Sequence, residues 1–382
     1  MIKKSFNQVG KLLSIIPNIL PIRKNKIVFD NFSGRGFGDS PKYIAQKLLL
    51  ERNLDLVWLM NDINSKPNIK GIRFIKRKSI RAVYELATAN VWVDNVRKSL
   101  VTRKKRKQLY IQTWHAFMGL KYLEADSENT LSLGYVKSAQ KDAMRTDIML
   151  SGVHFRTELY KRAFWFNGEV LETGTPRLDL FFENHSEIND NVNTFFKINE
   201  KAKVVLYAPT FRKNWTVEMY SLDFERVLQN VQQRFNGSWE LLIRLHPNVN
   251  FSDVGFNNEK IHQASGYADS QELVYRADII ISDYSSIMFD GMIAKKKVIL
   301  YVPDLDEYQN GDRKLYFKID ELPFVVAKSE NELNDVILGF DDSEYESKIA
   351  KFTDEIGVVE DGHASERVAK IILEHIEGKD KK

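Results

Sequence analysis

Residues 277–286 read ADIIISDYSS, a short apolar run that ends in small, hydroxyl-bearing residues. Such a run between turn signals is typical of a buried strand, and the polar residues after it then lie at the strand's carboxyl end. The same succession of apolar run, polar turn and helical pattern recurs along the chain. It predicts βαβ units, and therefore an α/β protein built on parallel sheets.

The predicted strands fall into two series, separated by a polar stretch over residues 183–202. The first series is Lys26–Phe29, Leu54–Met60, Val91–Val93, Leu109–Gln112 and Ile148–Leu150. The second series is Val204–Tyr207, Leu241–Leu245, Ile279–Ser282, Val298–Tyr301 and Phe324–Ala327. They predict two Rossmann-like domains, residues 1–185 and 186–382, which fits the length of 382 residues. In open parallel sheets ligands bind beyond the carboxyl ends of the strands, so we expect the functional residues there.

The charges are distributed unevenly between these two halves. Residues 1–185 contain 32 Lys and Arg against 17 Asp and Glu, whereas residues 186–382 contain 24 against 35. Unless this bias belongs to an ordinary mixed surface, the basic first domain is expected to face a polyanion or an anionic membrane. The chain has no cysteine, which excludes disulfides, a thiolate nucleophile and a cysteine zinc site, and fits a reducing cytosol.

The N-terminal segment combines lysines with a short apolar stretch. Leu12 to Ile22 is apolar but interrupted by Pro17 and Pro21, and it is too short to span a bilayer. It also lacks the small-residue cleavage site of a secretory signal. The segment is either an interfacial membrane anchor or a helix packed against its own domain.

Two histidines follow predicted strands in matching positions. His115 follows the strand that ends at Gln112, and His246 follows the strand that ends at Leu245. Because histidine titrates near neutral pH, it exchanges protons under cellular conditions without large tuning. Either histidine alone is more often structural, but the matched pair favours catalytic roles for both.

A second set of residues is suited to hold a phosphorylated donor. Small hydroxyls and backbone N–H groups at a helix N-terminus bind phosphate, and the arginine fork binds two oxygens of an oxyanion at once. One hydroxyl, Ser286, is equally explained as a simple helix N-cap. The predicted donor-binding residues are Thr175, Arg177, Thr210, Arg212, Arg244, Ser282, Asp283, Ser285, Ser286 and Asp290.

A basic run precedes the strand that leads to His115. It comprises Arg97, Lys98, Arg103, Lys104, Lys105, Arg106 and Lys107. No interleaved aromatics or RNA-binding motif accompany it, so an anionic polymer or lipid headgroup is favoured over nucleic acid. The chain has no Walker loop, no GxGxxG after the first strand and no dense carboxylate–histidine constellation for a metal.

Several short motifs stand in a fixed order along residues 27–367. They are Asp39-Ser40-Pro41-Lys42-Tyr43-Ile44, Trp92-Val93-Asp94-Asn95, Gln112-Thr113-Trp114-His115, Gly174-Thr175-Pro176-Arg177-Leu178-Asp179, Ala208-Pro209-Thr210-Phe211-Arg212, Arg244-Leu245-His246-Pro247 and Ser282-Asp283-Tyr284-Ser285-Ser286. In number and order they resemble the CDP-glycerol glycerophosphotransferases of teichoic acid and capsule synthesis. The resemblance implies a GT-B fold, with two domains facing across a cleft and the donor nucleotide held mainly by the C-terminal domain.

This resemblance implies transfer of glycerol phosphate from CDP-glycerol to a lipid-linked teichoic acid or capsular polymer, with release of CMP. Our hypothesis is an in-line displacement in which His115 serves as base and His246 stabilises or protonates the phosphate. No metal is required, although Mg²⁺ on the diphosphate stays an alternative. We expect the protein on the cytoplasmic membrane face, bound peripherally.

One departure from the family pattern affects the acceptor side. The family usually has Trp-His-Gly-Thr-Pro-Leu-Lys, whereas here Trp114-His115 is followed by Ala116-Phe117-Met118-Gly119-Leu120-Lys121. The bulkier loop leaves the acceptor and the polyol open, so a CDP-ribitol donor is one alternative. A UDP-sugar glycosyltransferase or epimerase of GT-B type and a catalytically silent polymer-binding protein are two others.

Overall fold

The computed structural model describes residues 19–98, 103–212, 222–245, 258–311 and 314–378. Its strands form two sheets, and within each sheet every pair of neighbouring strands is parallel. Contacts between Cα atoms divide the chain into two compact units. Of the described residues, the first unit contains those of Met1–His115, Glu124–Asp179 and Val359–Lys382, and the second contains Ala116–Leu123 and Leu180–Val358.

The sheet of the first unit has seven strands in the order β3-β2-β1-β4-β5-β6-β7. They are β1 (Lys26–Asp30), β2 (Asp55–Met60), β3 (Ile72–Lys76), β4 (Val91–Asp94), β5 (Leu109–Gln112), β6 (Ile148–Leu150) and β7 (Glu169–Leu171). The central strand β1 is buried along its whole length and pairs with β2 and β4, with Ile27 opposite Leu56 and Val91. Burial on both faces explains why these strands are continuous apolar runs.

The helices of the first unit connect these strands. They are α1 (Asp39–Leu48), α2 (Ile80–Thr88), α3 (Leu133–Ala143) and α4 (His154–Ala163), and α12 (Ala364–Glu377) joins them from the end of the chain. Short 3₁₀ helices lie at Glu124–Thr130 and Pro176–Phe181.

The sheet of the second unit has six strands in the order β10-β9-β8-β11-β12-β13. They are β8 (Lys203–Tyr207), β9 (Trp239–Ile243), β10 (Ile261–Gln263), β11 (Ile279–Ser282), β12 (Lys297–Tyr301) and β13 (Val325–Ala327). The helices are α5 (Ser186–Phe196), α6 (Phe224–Phe235), α7 (Ser270–Arg276), α8 (Ile287–Ile293), α9 (Leu305–Gly311), α10 (Glu330–Leu338) and α11 (Asp342–Ile356). The prediction of two parallel α/β sheets is confirmed.

A single boundary at residue 185 would assign two segments to the other unit. These segments are the last helix and Ala116–Leu123. The last helix packs into the first unit because its apolar stripe, Val368, Ile372 and Ile376, lies in one core with Ile27 and Leu48. Ala116–Leu123 belongs to the second unit, where it pairs with a second short segment. Its Tyr122 N–H donates to the carbonyl of Lys314 at 2.8 Å, and Tyr316 N–H donates to Leu120 at 2.7 Å.

Within the described ranges, no helix is both long enough and apolar enough to cross a bilayer. Of the predicted N-terminal segment, only residues 19–22 fall inside these ranges.

Candidate active site

Each sheet reverses its strand order at one position. In the first unit the reversal lies between β1 and β4, and in the second between β8 and β11. Loops that leave the carboxyl ends of such neighbouring strands diverge and leave a crevice for a ligand. The predicted residues that follow β5, β8 and β11 therefore lie at the carboxyl ends of the strands of their sheets.

Hydrogen bonding and ring packing fix the side chain of His115 at the carboxyl ends of the strands of the first sheet. Its Nδ1 lies 3.1 Å from the carbonyl oxygen of Asn95, which follows β4. A carbonyl only accepts hydrogen bonds, so the proton of the neutral ring is on Nδ1 and a lone pair is on Nε2. The ring also packs edge-on against Phe32, with ring centroids 5.6 Å apart.

The residue before His115 has an unusual backbone conformation. Trp114 has φ +56°, in the left-handed region that bulky residues seldom adopt. Its N–H donates to the side chain of Gln112 at 3.0 Å, and its ring packs against Phe164 at 4.8 Å. These contacts stabilise the turn that presents His115.

His115 is neutral at cellular pH. Burial lowers its pKa from 6.5 to about 4, and the cations of Arg177 and Arg156 act in the same direction. The carboxylate of Asp39 and the carbonyl of Asn95 oppose this shift without overcoming it. A neutral imidazole with a lone pair on Nε2 is in the state that a general base requires.

Thr175 and Arg177 belong to the first unit, where Arg177 contacts His115. Arg177 is buried, and its Nη1 donates to Asp39 Oδ2 at 3.0 Å and to the carbonyl of His115 at 2.7 Å. The N–H of Thr175 donates to the carboxyl oxygens of Glu360 at 2.9 and 3.0 Å. Burial raises the pKa of Glu360 to about 8. Their predicted role in binding the donor stays a prediction.

Asp283 organises the edge of the second unit. Its carboxylate accepts from the N–H of Thr210 at 2.8 and 2.9 Å and from the N–H of Tyr284 at 2.6 Å. Arg212 Nη1 donates to the same carboxylate at 2.6 Å. One buried carboxylate thus joins the loops that follow β8 and β11.

Arg212 lies between two carboxylates. Besides Asp283, it binds Asp304 through Nε at 2.7 Å, and its guanidinium lies 5.0 Å from the ring centre of Tyr284. Burial opposes its charge, but Asp283 and Asp304 outweigh burial and raise its pKa. Arg212 is therefore built into the loop framework, and its predicted contact with the donor phosphate stays a prediction.

The hydroxyls after β11 differ from one another. Ser282 Oγ donates to the carbonyl of Ala208 at 2.7 Å, so this buried side chain is structural. Ser285 Oγ accepts weakly, at 3.5 Å, from the N–H of Ile287. Ser286 occupies the N-cap position of α8, but its side chain makes no capping hydrogen bond. The alternative of a simple N-cap is therefore not supported for Ser286.

Arg244 and Asp290 also have protein partners. Arg244 Nη1 donates to the carbonyls of Ala264 and Tyr267 at 3.0 and 2.9 Å, and burial lowers its pKa. Arg244 therefore holds the loop after β10, and its predicted contact with the donor phosphate stays a prediction. Asp290 accepts from Gln271 Nε2 at 3.1 Å.

The predicted basic patch is smaller than its sequence suggests. Arg97 and Lys98 are not surface residues: Arg97 pairs with Glu124 at 3.0 Å, and buried Lys98 pairs with Asp94 at 2.9 Å. Lys104 pairs with Asp147 at 2.9 Å, and Lys105 donates to the carbonyls of Leu20 and Ala87. The exposed cations of the run are Arg103, Arg106 and Lys107.

The other predicted catalytic histidine, His246, lies outside the described residues.

Sequence reasoning missed the partners of the predicted residues. Asp39, Asp304 and Glu360 bind Arg177, Arg212 and Thr175, respectively, and Gln271 binds Asp290. The available signals were the motif that begins at Asp39, and position, because Asp304 follows β12 at the same end of the strands as the other polar residues.

Residues 12–374 match the family model described as CDP-Glycerol:Poly(glycerophosphate) glycerophosphotransferase. The chain belongs to this family. The resemblance that the sequence motifs predicted is therefore confirmed. By its description, this is a family of transferases.

The names of relatives of this chain refer to teichoic acid synthesis. A teichoic acid poly(glycerol phosphate) polymerase of Bacillus subtilis (strain 168) is 29% identical, over 98% of this chain and 52% of the relative. The chain thus spans about half the length of that polymerase. A teichoic acid glycerol-phosphate transferase of Staphylococcus aureus (strain NCTC 8325 / PS 47) is 28% identical over 98% of both chains. A teichoic acid poly(ribitol-phosphate) polymerase of Bacillus spizizenii is 26% identical, over 93% of this chain and 57% of the relative.

The fold agrees with a solved relative. The wall teichoic acid polymerase TagF, as a histidine-to-asparagine variant soaked with CDPG, matches with a TM-score of 0.85 and 27% identity. The match covers 97% of this chain and 94% of that chain. It confirms the predicted GT-B class for this chain, and the predicted cleft stays a prediction.

Proposed function

We propose that this protein transfers glycerol phosphate from CDP-glycerol to a teichoic acid or capsular polymer and releases CMP. The observation that carries the proposal is the family match over residues 12–374, together with a neutral His115 whose lone pair is on Nε2. A hydroxyl oxygen of the acceptor attacks the glycerol-bearing phosphorus of the donor. The bond from that phosphorus to the CMP oxygen breaks as CMP leaves.

In this proposal His115 Nε2 takes the proton of the attacking hydroxyl. An alcohol is a poor nucleophile at neutral pH, and a positioned base contributes about 10²–10⁴-fold to such a reaction. A pKa of about 4 makes His115 a weak base in the absence of substrate. A bound phosphate anion nearby stabilises the imidazolium and raises this pKa toward the working pH.

The second unit supplies the donor-binding residues of this proposal. Thr210, Ser285 and Ser286 lie on the loops that Asp283 joins, so their positions are set before the donor arrives. Hydrogen-bond donors that are positioned in advance stabilise developing charge on the phosphate without a cost of reorganisation. Arg212 acts through Asp283 and Asp304 as a positioning residue, and His246 keeps its predicted role at the phosphate.

The acceptor is proposed to be lipid-linked, with the protein bound peripherally at the cytoplasmic membrane face. The exposed side of α3 supports this, since Leu133 and Met144 at its ends are 79% and 76% exposed and Lys137 and Lys141 lie between them. Apolar side chains interspersed with lysines suit an anionic lipid surface.

Two contacts link further basic and apolar groups to the chain that follows α3 and to each other. Lys104 binds Asp147, three residues beyond Met144, and Lys105 binds the carbonyl of Leu20. The 103–107 run, with its exposed cations, is thus linked through Asp147 to the chain that follows α3 and through Leu20 to Ile19, which is 81% exposed. We define α3, residues 103–107 and residues 19–22 as the basic-apolar surface.

A donor panel tests the reaction. We expect CDP-glycerol to release CMP in the presence of a teichoic acid primer, whereas UDP-sugars release no nucleotide. Turnover of CDP-ribitol instead of CDP-glycerol would favour the ribitol alternative, which the ribitol-phosphate polymerases among the relatives motivate. Release of UDP from a UDP-sugar would contradict the proposal.

Replacement of His115 tests its role. His115→Ala removes the base, so we expect turnover to fall by about 10²-fold or more while CDP-glycerol binding persists. His154→Ala is the matched control, because His154 is an exposed histidine of the same unit that pairs with Glu172. Near-normal turnover in a folded His115→Ala protein would exclude the proposed base.

A further inference from the structure

The loop that follows β1 carries an exposed arginine that the proposed mechanism does not use. Residues 31–37 read NFSGRGF, and we call them the β1 loop. Arg35 in this loop is exposed to solvent, and within the described ranges no hydrogen bond or ion pair reaches its guanidinium group. The β1 loop leaves the carboxyl end of its strand where the first sheet reverses its order, which is the usual place for a ligand in such sheets.

The backbone of the β1 loop is held on both sides of Arg35. The carbonyl of Gly34 accepts from the N–H of Asn61 at 2.8 Å. The carbonyl of Gly36 accepts from Trp58 Nε1 at 3.1 Å. A fixed backbone thus displays a charged side chain that contributes nothing to holding the loop itself.

The β1 loop also has an unusual backbone conformation. Three consecutive residues have positive φ, namely Phe32 at +43°, Ser33 at +58° and Gly34 at +86°. Side-chain-bearing residues seldom adopt this region, and at Gly34 a Cβ atom would lie 2.7 Å from the side chain of Arg77. Strain of this kind persists only where surrounding contacts maintain it, and it clusters at ligand sites.

Asn95 anchors both the β1 loop and His115. Its side chain binds the loop twice: Nδ2 donates to Asn31 Oδ1 at 2.7 Å, and Oδ1 accepts from the N–H of Phe32 at 2.7 Å. Its carbonyl oxygen accepts from His115 Nδ1 at 3.1 Å. Since the ring of Phe32 packs against that of His115, a molecule bound by this loop lies beside the proposed base.

Two other cations at this end of the first sheet are buried and paired. Arg77, which follows β3, binds Asp30 at 2.8 Å, and Lys98, which follows β4, binds Asp94 at 2.9 Å. These pairs stabilise the ends of the strands, and their charges are not presented to solvent. Arg35 differs from both because its charge is accessible to a polyanion.

We propose that Arg35 binds a phosphodiester of the acceptor polymer and thereby places the hydroxyl at the end of that polymer against His115 Nε2. This inference rests on the proposed function and names an acceptor-binding residue for it. In a glycerol phosphate chain, one three-carbon unit separates the terminal hydroxyl from the nearest phosphate. The guanidinium fork binds two oxygens of such a phosphate at once, and a bound phosphate orients the hydroxyl for attack.

Steady-state kinetics with saturating CDP-glycerol and a soluble primer of glycerol phosphate units test this role. Arg35→Gln removes the charge, so we expect kcat/KM for the primer to fall by about tenfold or more, mainly through a higher KM. Arg35→Lys keeps the charge without the fork and should give an intermediate value. Arg52→Gln is the matched control, because Arg52 is an exposed arginine that precedes β2, at the opposite end of the same strands.

Phosphate also belongs to the donor and to lipid headgroups, and two measurements separate these sources. Calorimetry with CDP-glycerol and cosedimentation with anionic vesicles should give the same binding for Arg35→Gln as for the unmodified protein. Weaker donor binding would assign Arg35 to the donor, and weaker vesicle binding would assign it to the membrane. Either result would overturn its role at the acceptor.

The outcomes also separate this inference from the proposed function. An unchanged kcat/KM for the primer in Arg35→Gln would overturn the role of Arg35 and leave the proposed reaction intact. If the unmodified protein does not turn over CDP-glycerol, the proposed function fails, and binding of the glycerol phosphate oligomer alone then tests Arg35. That binding should weaken by about tenfold or more in Arg35→Gln, and equal binding by both proteins would overturn the inference.

Discussion

At the scale of single residues, His115 is tuned by charges that the sequence places far away. Asp39 and Arg177 lie 138 positions apart and form a buried pair at 3.0 Å. The same arginine donates to the carbonyl of His115, so the three residues are coupled. The carboxylate raises the pKa of His115 and the guanidinium lowers it, whereas burial lowers it most.

This coupling predicts the pH dependence of the reaction. The neutral form of His115 is the active base, and its pKa in the free protein is about 4. We therefore expect kcat/KM to decrease only as the pH falls toward about 4, where His115 becomes protonated. Arg177→Gln removes a cation and leaves Asp39 unpaired, and both changes raise the pKa of His115. The acid limb of the pH profile should then move to higher pH.

The pH at which kcat/KM begins to decrease, and not the maximal value of kcat/KM, tests this prediction. Arg81→Gln is the control, because Arg81 is an exposed arginine of the same unit that pairs with Glu85. Its profile should match that of the unmodified protein. A folded Arg177→Gln protein with an unshifted acid limb would show that another group sets the limb.

At the scale of elements, the turn between β11 and α8 is expected to bind the donor diphosphate. Ser285 and Ser286 are half-buried, and neither side chain caps α8 with a normal hydrogen bond. Each hydrogen bond to a charged group contributes about 1.5–3 kcal/mol. Ser285→Ala with Ser286→Ala should therefore weaken CDP-glycerol binding by at least tenfold, as measured by calorimetry.

A serine that does cap a helix provides the comparison for this turn. Ser329 accepts from the N–H of Glu332 at 3.2 Å at the start of α10. Ser329→Ala should cost about 1 kcal/mol of stability without changing the dissociation constant of the donor. If the double variant at the turn behaves in the same way, the turn has a structural role only.

The basic-apolar surface makes a prediction about a second element, α3. Leu133→Asp with Met144→Asp places carboxylates at both exposed apolar ends of the helix. We expect binding to anionic vesicles to decrease strongly in cosedimentation, because both insertion and charge attraction are lost. Lys137→Gln with Lys141→Gln should reduce only the part of the binding that salt screens.

Other exposed apolar residues of the first unit supply the control for α3. Leu50 and Ile80 are 80% and 72% exposed and lie outside the basic-apolar surface. Leu50→Asp with Ile80→Asp should leave vesicle binding unchanged. Equal loss in both double variants, or no vesicle binding at low salt by the unmodified protein, would contradict the membrane proposal.

At the scale of the whole molecule, the sequence predicted the strands that are buried on both faces and missed three others. The missed strands, β3, β7 and β10, are all at sheet edges. Their side chains are partly exposed, so they lack a continuous apolar run. The edge strand β13 was predicted because Phe324 and the valines after it still form such a run.

The candidate site was predicted as residue types at strand ends, but not as pairs. Arg212 and Arg244 were expected to bind phosphate because an arginine in a loop resembles an anion ligand. In the structure, Arg212 binds two carboxylates and Arg244 binds backbone carbonyls, which the sequence did not predict. Such partners come from distant positions, and no local pattern in the sequence identifies them.

The return of the chain to the first unit makes a prediction for the molecule as a whole. Ile372 of α12 is fully buried in the core of the first unit, although Leu180–Val358 belongs to the second. Asp179 fixes the start of this helix by accepting from the N–H groups of Ala364 and Ser365 at 3.0 and 2.6 Å. The last helix is therefore structural for the first unit.

Ile372→Ala should accordingly destabilise the first unit by about 2–5 kcal/mol, since a large buried side chain leaves a cavity when truncated. Hydrogen exchange should show faster exchange in β1 and β2, while β8 and β11 keep their protection because their core does not contain Ile372. CDP binding, which we assign to the second unit, should persist. Lys370→Ala, on the exposed side of the same helix, is the matched control and should change neither. Equal loss of protection in both sheets would mean that the two units unfold as one, and α12 would then stabilise the whole molecule rather than the first unit alone.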